Sequence, residues 1–247
     1  MVIREIHARS VLSRSKVFDY VVNPYIGCQH GCTYCYARFM KRFTGHAEPW
    51  GQFVDVKVNT APLLRRQLNT MPRGRVWVSG VCDPYQPLER KYELTRKCLE
   101  ILVRHNWPIT VQTKSPLVLR DLGLLRGANE LEVGLTVTTL DEGIRKLFEP
   151  SAPLIKERIE ALEELHSAGI RTFAMIAPML PGAEGLVSPL AGKVDFVLVD
   201  RMNYHYADWV YRRYNLENSL SDEFFSSRGE ELASLFQKRG IECQVLF

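Results

Sequence analysis

An α/β fold with parallel strands is predicted by two patterns in this chain of 247 residues. Short apolar runs alternate with helical stretches from end to end, the order expected of βαβ units. Several of the runs are near-continuously apolar or β-branched, as strands covered on both faces are. The strands expected are residues 20–22, 53–58, 75–80, 109–113, 131–137, 172–177, 196–199 and 242–246. Helical patterns occupy residues 88–105, 155–168 and 223–239. In the second of these Ile155, Ile159, Leu162 and Leu165 recur at helical spacing, and Gly169 follows as a stop. No internal repeat, low-complexity tract or Pro/Ser-rich linker divides the chain, so a single domain over residues 1–247 is expected. In parallel α/β folds ligands collect at the carboxyl ends of the strands. Residues just after each strand therefore carry the functional reading, and they are unusually polar here.

Hydrophobic content of 46% and charged content of 24% match an ordinary soluble globular protein. No apolar run is long enough to span a membrane, and the start, Met-Val-Ile-Arg-Glu-Ile-His, lacks the apolar core of a signal peptide. A cytoplasmic protein is expected, in a compartment where thiols stay reduced. A net charge of +4 permits nucleic-acid contact without demanding it. Cys98 and Cys243 fall in a helical stretch and a terminal strand, and read as small core residues.

Residues 27–36 read Gly-Cys-Gln-His-Gly-Cys-Thr-Tyr-Cys-Tyr, placing Cys28, Cys32 and Cys35 in a C-x3-C-x2-C spacing with no fourth cysteine nearby. Cubane iron–sulfur clusters are normally held by four thiolates. A loop offering three leaves one iron open to something other than protein. Zinc is the rival reading, with His30 as the fourth ligand, but His30 lies too close to the cysteines to complete a tetrahedron comfortably. Three incidental cysteines, or a disulfide with one thiol to spare, is the third.

With this loop placed after a first strand, the chain resembles the radical S-adenosylmethionine superfamily, whose pattern is C-x3-C-x-aromatic-C, with Tyr34 at the aromatic position. The finer resemblance is to its spore photoproduct lyase-like ("DNA repair photolyase") branch. It is carried by Asn23-Pro24-Tyr25-Ile26-Gly27-Cys28, Cys35-Tyr36-Ala37-Arg38, Asp83-Pro84-Tyr85-Gln86-Pro87-Leu88-Glu89 and Thr113-Lys114-Ser115. It continues in Phe148-Glu149-Pro150, Arg158-Ile159-Glu160-Ala161-Leu162 and Ala177-Pro178-Met179-Leu180-Pro181-Gly182. The resemblance implies a partial (βα)6 TIM-type barrel with the cluster loop at residues 27–36 and a lid-like segment at 201–247. It implies a [4Fe–4S] cluster on Cys28, Cys32 and Cys35 whose open iron binds the methionyl amine and carboxylate. Reductive cleavage of S-adenosylmethionine then gives a 5′-deoxyadenosyl radical that abstracts hydrogen from substrate. The cofactor carries the hard chemistry and the protein orients it. A reducing electron donor such as flavodoxin or ferredoxin is implied as a partner.

Position by position, the resemblance places Tyr34 against adenine, Tyr36 near the cofactor, and Lys114 on the methionyl carboxylate, a task suited to a point charge. Arg158 is a second carboxylate-binding candidate. Thr136 and Thr138 are candidates for the ribose or carboxylate, and Ala177 for backbone contacts to adenine. After the strand at 75–80, Gly80 permits close backbone approach and Asp83 could accept a hydrogen bond from the methionyl ammonium. Cys82 falls near the hydrogen-atom donor cysteine of spore photoproduct lyases; the bland reading is a small residue filling space.

The segment from Asn203 to Tyr214 mixes five aromatics with His205, Arg212 and Arg213. Such mixtures hold single-stranded or extruded bases, or form a helix packed through its aromatics. A nucleic-acid or nucleotide-derived substrate is the leaning. The short chain before Cys28 argues against thymine-dimer repair itself. The alternative to an enzyme is a non-catalytic iron–sulfur or zinc nucleic-acid-binding module.

Overall fold

The computed structural model describes residues 1–247. The chain forms two compact units, Met1–Gly31 with Ala37–Val133, and Cys32–Tyr36 with Gly134–Phe247. No helix is long and apolar enough to cross a membrane.

The first unit holds β1 (Val2–Ile6), β2 (Leu12–Arg14), β3 (Tyr20–Val22), β4 (Tyr25–Ile26), β5 (Phe53–Lys57), α1 (Thr60–Leu68), β6 (Val76–Val78), α2 (Glu89–Tyr92), α3 (Leu94–Arg104), β7 (Ile109–Thr113) and α4 (Leu122–Leu125). Strands β3, β6 and β7 run parallel in that order, with Val22 beside Val78 and Val78 beside Val111. These side chains are fully buried, which is why the runs read as apolar without alternation. β2 closes the outer edge antiparallel to β3. A smaller sheet pairs β5 with β1 in parallel and with β4 antiparallel. Its inner face buries Tyr25, Val54 and Val56 against Leu88 and Leu94.

The expected helix over residues 88–105 is interrupted. Glu93 adopts a left-handed conformation (φ 52°) between α2 and α3. The cause is Glu89, whose carboxylate is completely buried and accepts hydrogen bonds from Thr95 N (3.0 Å) and Arg96 N (3.1 Å). These are first-turn amides of α3 that lack helical partners, so a new helix starts there. The same carboxylate accepts from the Tyr25 hydroxyl and pairs with Arg120 at 3.1 Å.

The second unit holds α5 (Glu142–Phe148), α6 (Ile155–Ser167), β9 (Arg171–Ile176), α7 (Val187–Leu190), β10 (Phe196–Val199), α8 (Asp208–Arg213), α9 (Asp222–Gln237) and β11 (Glu242–Val245), together with the end of β8 (Leu131–Thr136). β9, β10 and β11 are parallel. α6 buries Ile155, Ile159, Leu162 and Leu165 as its spacing predicts, and Gly169 ends it at φ 80°. Within residues 201–247, α9 buries Phe225, Leu232 and Phe236, and β11 extends the parallel sheet beside β10.

Candidate active site

The cysteine loop leaves β4 through Gly27, which sits at φ 90° with no room for a side chain: a Cβ there would lie 2.4 Å from the Phe53 carbonyl oxygen. Gln86, wholly buried, then grips the first half of the loop. Its Nε2 donates to the Gly27 carbonyl (3.2 Å) and its Oε1 accepts from Gln29 N (3.0 Å), so one amide spans Cys28. Gln29 answers by accepting from Leu88 N at 2.6 Å. His30 is buried, with Nδ1 3.7 Å from Asp83 Oδ2.

Asn23 organises the turn after β6. Its Oδ1 accepts from Ser79 Oγ (2.8 Å), Gly80 N (2.9 Å) and Val81 N (3.0 Å). Gly80 is tight against protein, since a Cβ would lie 2.9 Å from Val21 Cγ2. Asp83 joins this turn to the end of β7, accepting from Thr113 Oγ1 (2.5 Å), Tyr85 N (2.9 Å) and Lys114 N (2.7 Å). The Lys114 side chain is partly exposed. Cys82 packs against the apolar cluster around Tyr25, Val54 and Val56, with Sγ 2.9 Å from Ser79 Oγ. Burial pushes its thiol up to about 12, so it stays protonated at neutral pH.

In the second unit Glu149 is the hub. Its fully buried carboxylate accepts from the Tyr34 hydroxyl and from Thr138 Oγ1 (3.3 Å), and forms an ion pair with Arg158, Oε2 to NH1 at 2.6 Å. Arg158 has no exposed surface; its remaining contacts are to Pro153 O (3.0 and 2.7 Å) and Thr136 O (3.0 Å). Thr33 N donates to Phe148 O at 2.8 Å, one residue before the hub. Burial and the Glu149 charge hold the Tyr34 phenol well above its ordinary range, so it remains a donor. The sequence thus brings Tyr34, Thr136, Thr138 and Arg158 together, but around an internal carboxylate. Neither Glu149 nor Gln86 was singled out by the sequence reading. Both lie inside the quoted motifs, and a Glu or Gln flanked by proline within an apolar stretch is the signal that marks them. Ala177 follows β9, is partly exposed, and precedes Pro178.

Tyr36 is 38% exposed and stacks on Tyr204 (centroids 6.1 Å, planes 23° apart), which stacks on Tyr206 (5.9 Å, 8°). This ladder grows from the residue next to Cys35. Trp209 is half exposed, whereas Tyr211 is buried against Phe148. The aromatic segment therefore divides into packed and presented members.

None of the six cysteines is in a disulfide; Cys28 and Cys32 are buried and Cys35 is partly exposed. No group of three or more His, Cys, Asp or Glu side chains converges as a single-ion site requires. The donor set is three thiols along one loop anchored from both ends, which suits an iron–sulfur cluster in its chemistry.

The sequence model of the radical SAM superfamily matches residues 22–184. An uncharacterized protein of Methanocaldococcus jannaschii is 38% identical over 179 residues, 72% of this chain and 67% of that one. An uncharacterized protein of Mycobacterium tuberculosis is 31% identical over 172 residues, and this chain spans about half its length (66% of this chain, 50% of that one). The radical SAM Nalpha-GlyT isomerase of Pseudomonas phage M6 is 24% identical over 164 residues, 66% of this chain and 33% of that one. Among solved structures, spore photoproduct lyase complexed with dinucleoside spore photoproduct superposes with a TM-score of 0.71 at 15% identity, covering 99% of this chain and 82% of that one. Streptococcus suis SuiB bound to the precursor peptide SuiA gives 0.60 at 15% identity, covering 92% and 48%. These structural matches carry the fold, the α/β partial barrel of radical SAM enzymes.

Proposed function

Because this chain belongs to the radical SAM superfamily, we propose that it holds a [4Fe–4S] cluster on Cys28, Cys32 and Cys35 and uses S-adenosylmethionine to abstract a hydrogen atom from a nucleic-acid or nucleotide-derived substrate. When bound, cluster and cofactor together supply one-electron cleavage of the sulfonium and the 5′-deoxyadenosyl radical that follows from it. The protein's part is placement. Gln86 and Glu149 fix the two halves of the loop, so the three thiols are presented from a held backbone. Lys114 is the cation for the methionyl carboxylate, since the Arg158 guanidinium already neutralises Glu149 and has no exposed surface. Asp83 sets the backbone of Lys114 through its amide. Tyr34 and Ala177 line the adenine side. A flavodoxin- or ferredoxin-type donor supplies the electron, in the cytoplasm.

The observation that carries the substrate class is the Tyr36–Tyr204–Tyr206 ladder, exposed at Tyr36 and Tyr204. Stacked, solvent-facing rings beside a reaction centre receive unpaired bases, because every base has a π face. The solved lyase with a dinucleoside bound points the same way. Anaerobic reconstitution followed by reduction in the presence of S-adenosylmethionine should yield 5′-deoxyadenosine, and dinucleotides or single strands should raise its yield. No 5′-deoxyadenosine from an iron-loaded protein would overturn the enzyme reading. A yield raised by peptides alone would overturn the nucleotide reading and favour the class of substrate seen in SuiB.

A further inference from the structure

The turn that continues from the cysteine loop, Tyr36–Phe43, reads Tyr-Ala-Arg-Phe-Met-Lys-Arg-Phe and runs as a 3₁₀ helix. Ala37 is buried, while Arg42 and Phe43 face solvent, Phe43 at 69% exposure. Within the first unit this helix walls an open cavity of about 570 Å³ with Arg38, Phe39, Lys41, Arg42, His46 and Ala47. Lys41 and Arg42 bond to main-chain carbonyls: Lys41 Nζ donates to the Ala47 carbonyl (2.8 Å) and Arg42 Nε to the Phe39 carbonyl (3.1 Å). The Arg42 guanidinium also lies 5.8 Å from the Phe39 ring centroid and 5.7 Å from that of Phe43. The cavity's histidine is committed elsewhere: His46 Nε2 lies 2.8 Å from Asp55 Oδ1 and Nδ1 3.0 Å from Glu48 Oε2.

We propose that this cavity is a docking site for the backbone phosphates of a single-stranded nucleic acid, with Lys41 and Arg42 on the phosphates and Phe43 beneath a base. Four features of the site carry it. Forked guanidinium donors suit phosphate oxygens. The arginine is already steadied by two rings, so less freedom is lost when it binds. Aromatic and basic residues interleave on one short helix, the combination that tracks single strands without reading sequence. Finally, Lys41 and Arg42 lie six and seven residues after Cys35, so the site is close along the chain to the cysteine loop. The site rests on the nucleic-acid reading of the substrate and adds where the strand is gripped.

The test is anaerobic titration of the iron-loaded protein with a labelled short oligothymidylate at several salt concentrations. Wild-type affinity should fall steeply with salt. Replacing two phosphate contacts, Lys41→Gln with Arg42→Gln, should flatten the log–log slope by about 1.4, at roughly 0.7 per contact on single strands. Phe43→Ala should weaken binding about tenfold while leaving the slope unchanged. All three positions are on the surface, and iron content with the far-ultraviolet spectrum checks that the variants fold. If the wild-type protein binds no oligonucleotide, the nucleic-acid reading itself fails. If it binds and the double variant keeps both slope and affinity, the strand is gripped elsewhere and this site is overturned while that reading survives. If the double variant keeps its DNA binding but accepts electrons more slowly from reduced flavodoxin, the cavity serves an acidic protein partner and the proposal is likewise overturned.

Discussion

The two halves of the cysteine loop are held by opposite chemistries. Around Cys28, in the first unit, a neutral amide reads two backbone groups: Gln86 takes one hydrogen bond and gives one. Around Tyr34, in the second unit, a buried ion pair does the work, with Glu149 collecting Arg158, Tyr34 and Thr138. An amide clamp can lose one bond and remain uncharged. A buried ion pair that loses one partner leaves an uncompensated charge, a far costlier state than the intact pair or an apolar replacement. The second half of the loop should therefore be the brittle one.

That contrast can be broken most directly at Arg158. Arg158→Met should destabilise the protein by about 3–5 kcal/mol in anaerobic urea unfolding. Combining it with Glu149→Leu should recover most of the loss, because the pair is then removed whole. Additive losses in the double variant would show that the pair is not the unit described. The clamp comes next. Gln86→Ala leaves the Gly27 carbonyl and the Gln29 amide without their partner and should cost about 1–3 kcal/mol, together with lower iron content per chain after reconstitution. A loss equal to that of Arg158→Met would erase the distinction between the two halves.

A smaller effect is expected at Tyr34→Phe, about 1 kcal/mol, since Arg158 and Thr138 still serve Glu149. Here the informative measurement is iron loading, which should drop less than in Gln86→Ala. The smallest effect tests how neutral the first unit's side is. The Cys82 thiol is raised to about 12 by burial, so the folded state favours its protonated form. That stabilisation is complete below about pH 9 and is lost as pH rises from about 9 to 12. Cys82→Ala should flatten the alkaline decline in stability within this window, by under about 1 kcal/mol at pH 9.5. An unchanged decline would mean that Cys82 ionises as freely folded as unfolded.

Much of the framework was legible because buried parallel strands write themselves as apolar runs. The boundaries at Tyr20–Val22, Ile109–Thr113 and Phe196–Val199 coincide with the expectation. What escaped was short or exposed. β1 leaves Ile3, Arg4 and Glu5 on the surface and exists through its parallel pairing with β5, while β4 has two residues. The break at Glu93 escaped because it depends on where Glu89 lies in space, not on a local helix breaker. For the site, three thiols in eight residues were visible outright. Residues that act on the loop from a distance were not: Gln86 lies 58 positions beyond Cys28, and Glu149 114 beyond Cys35. Arg158 illustrates the same limit. Sequence offers it as a candidate for the methionyl carboxylate, and only the fold shows that it pairs with the carboxylate of Glu149.

Gly27 has a consequence for transplantation. Its missing side chain is demanded by the Phe53 carbonyl, which belongs to a strand whose register is set by β1. The cysteine spacing is consequently not a portable cassette. An engineer who moved residues 27–36 into another scaffold would carry over the thiols but leave behind the wall against which the loop is folded. A host would need its own strand edge at that spot. Drift at the first position of the loop is closed for the same reason, since even alanine collides with main chain that has nowhere to retreat.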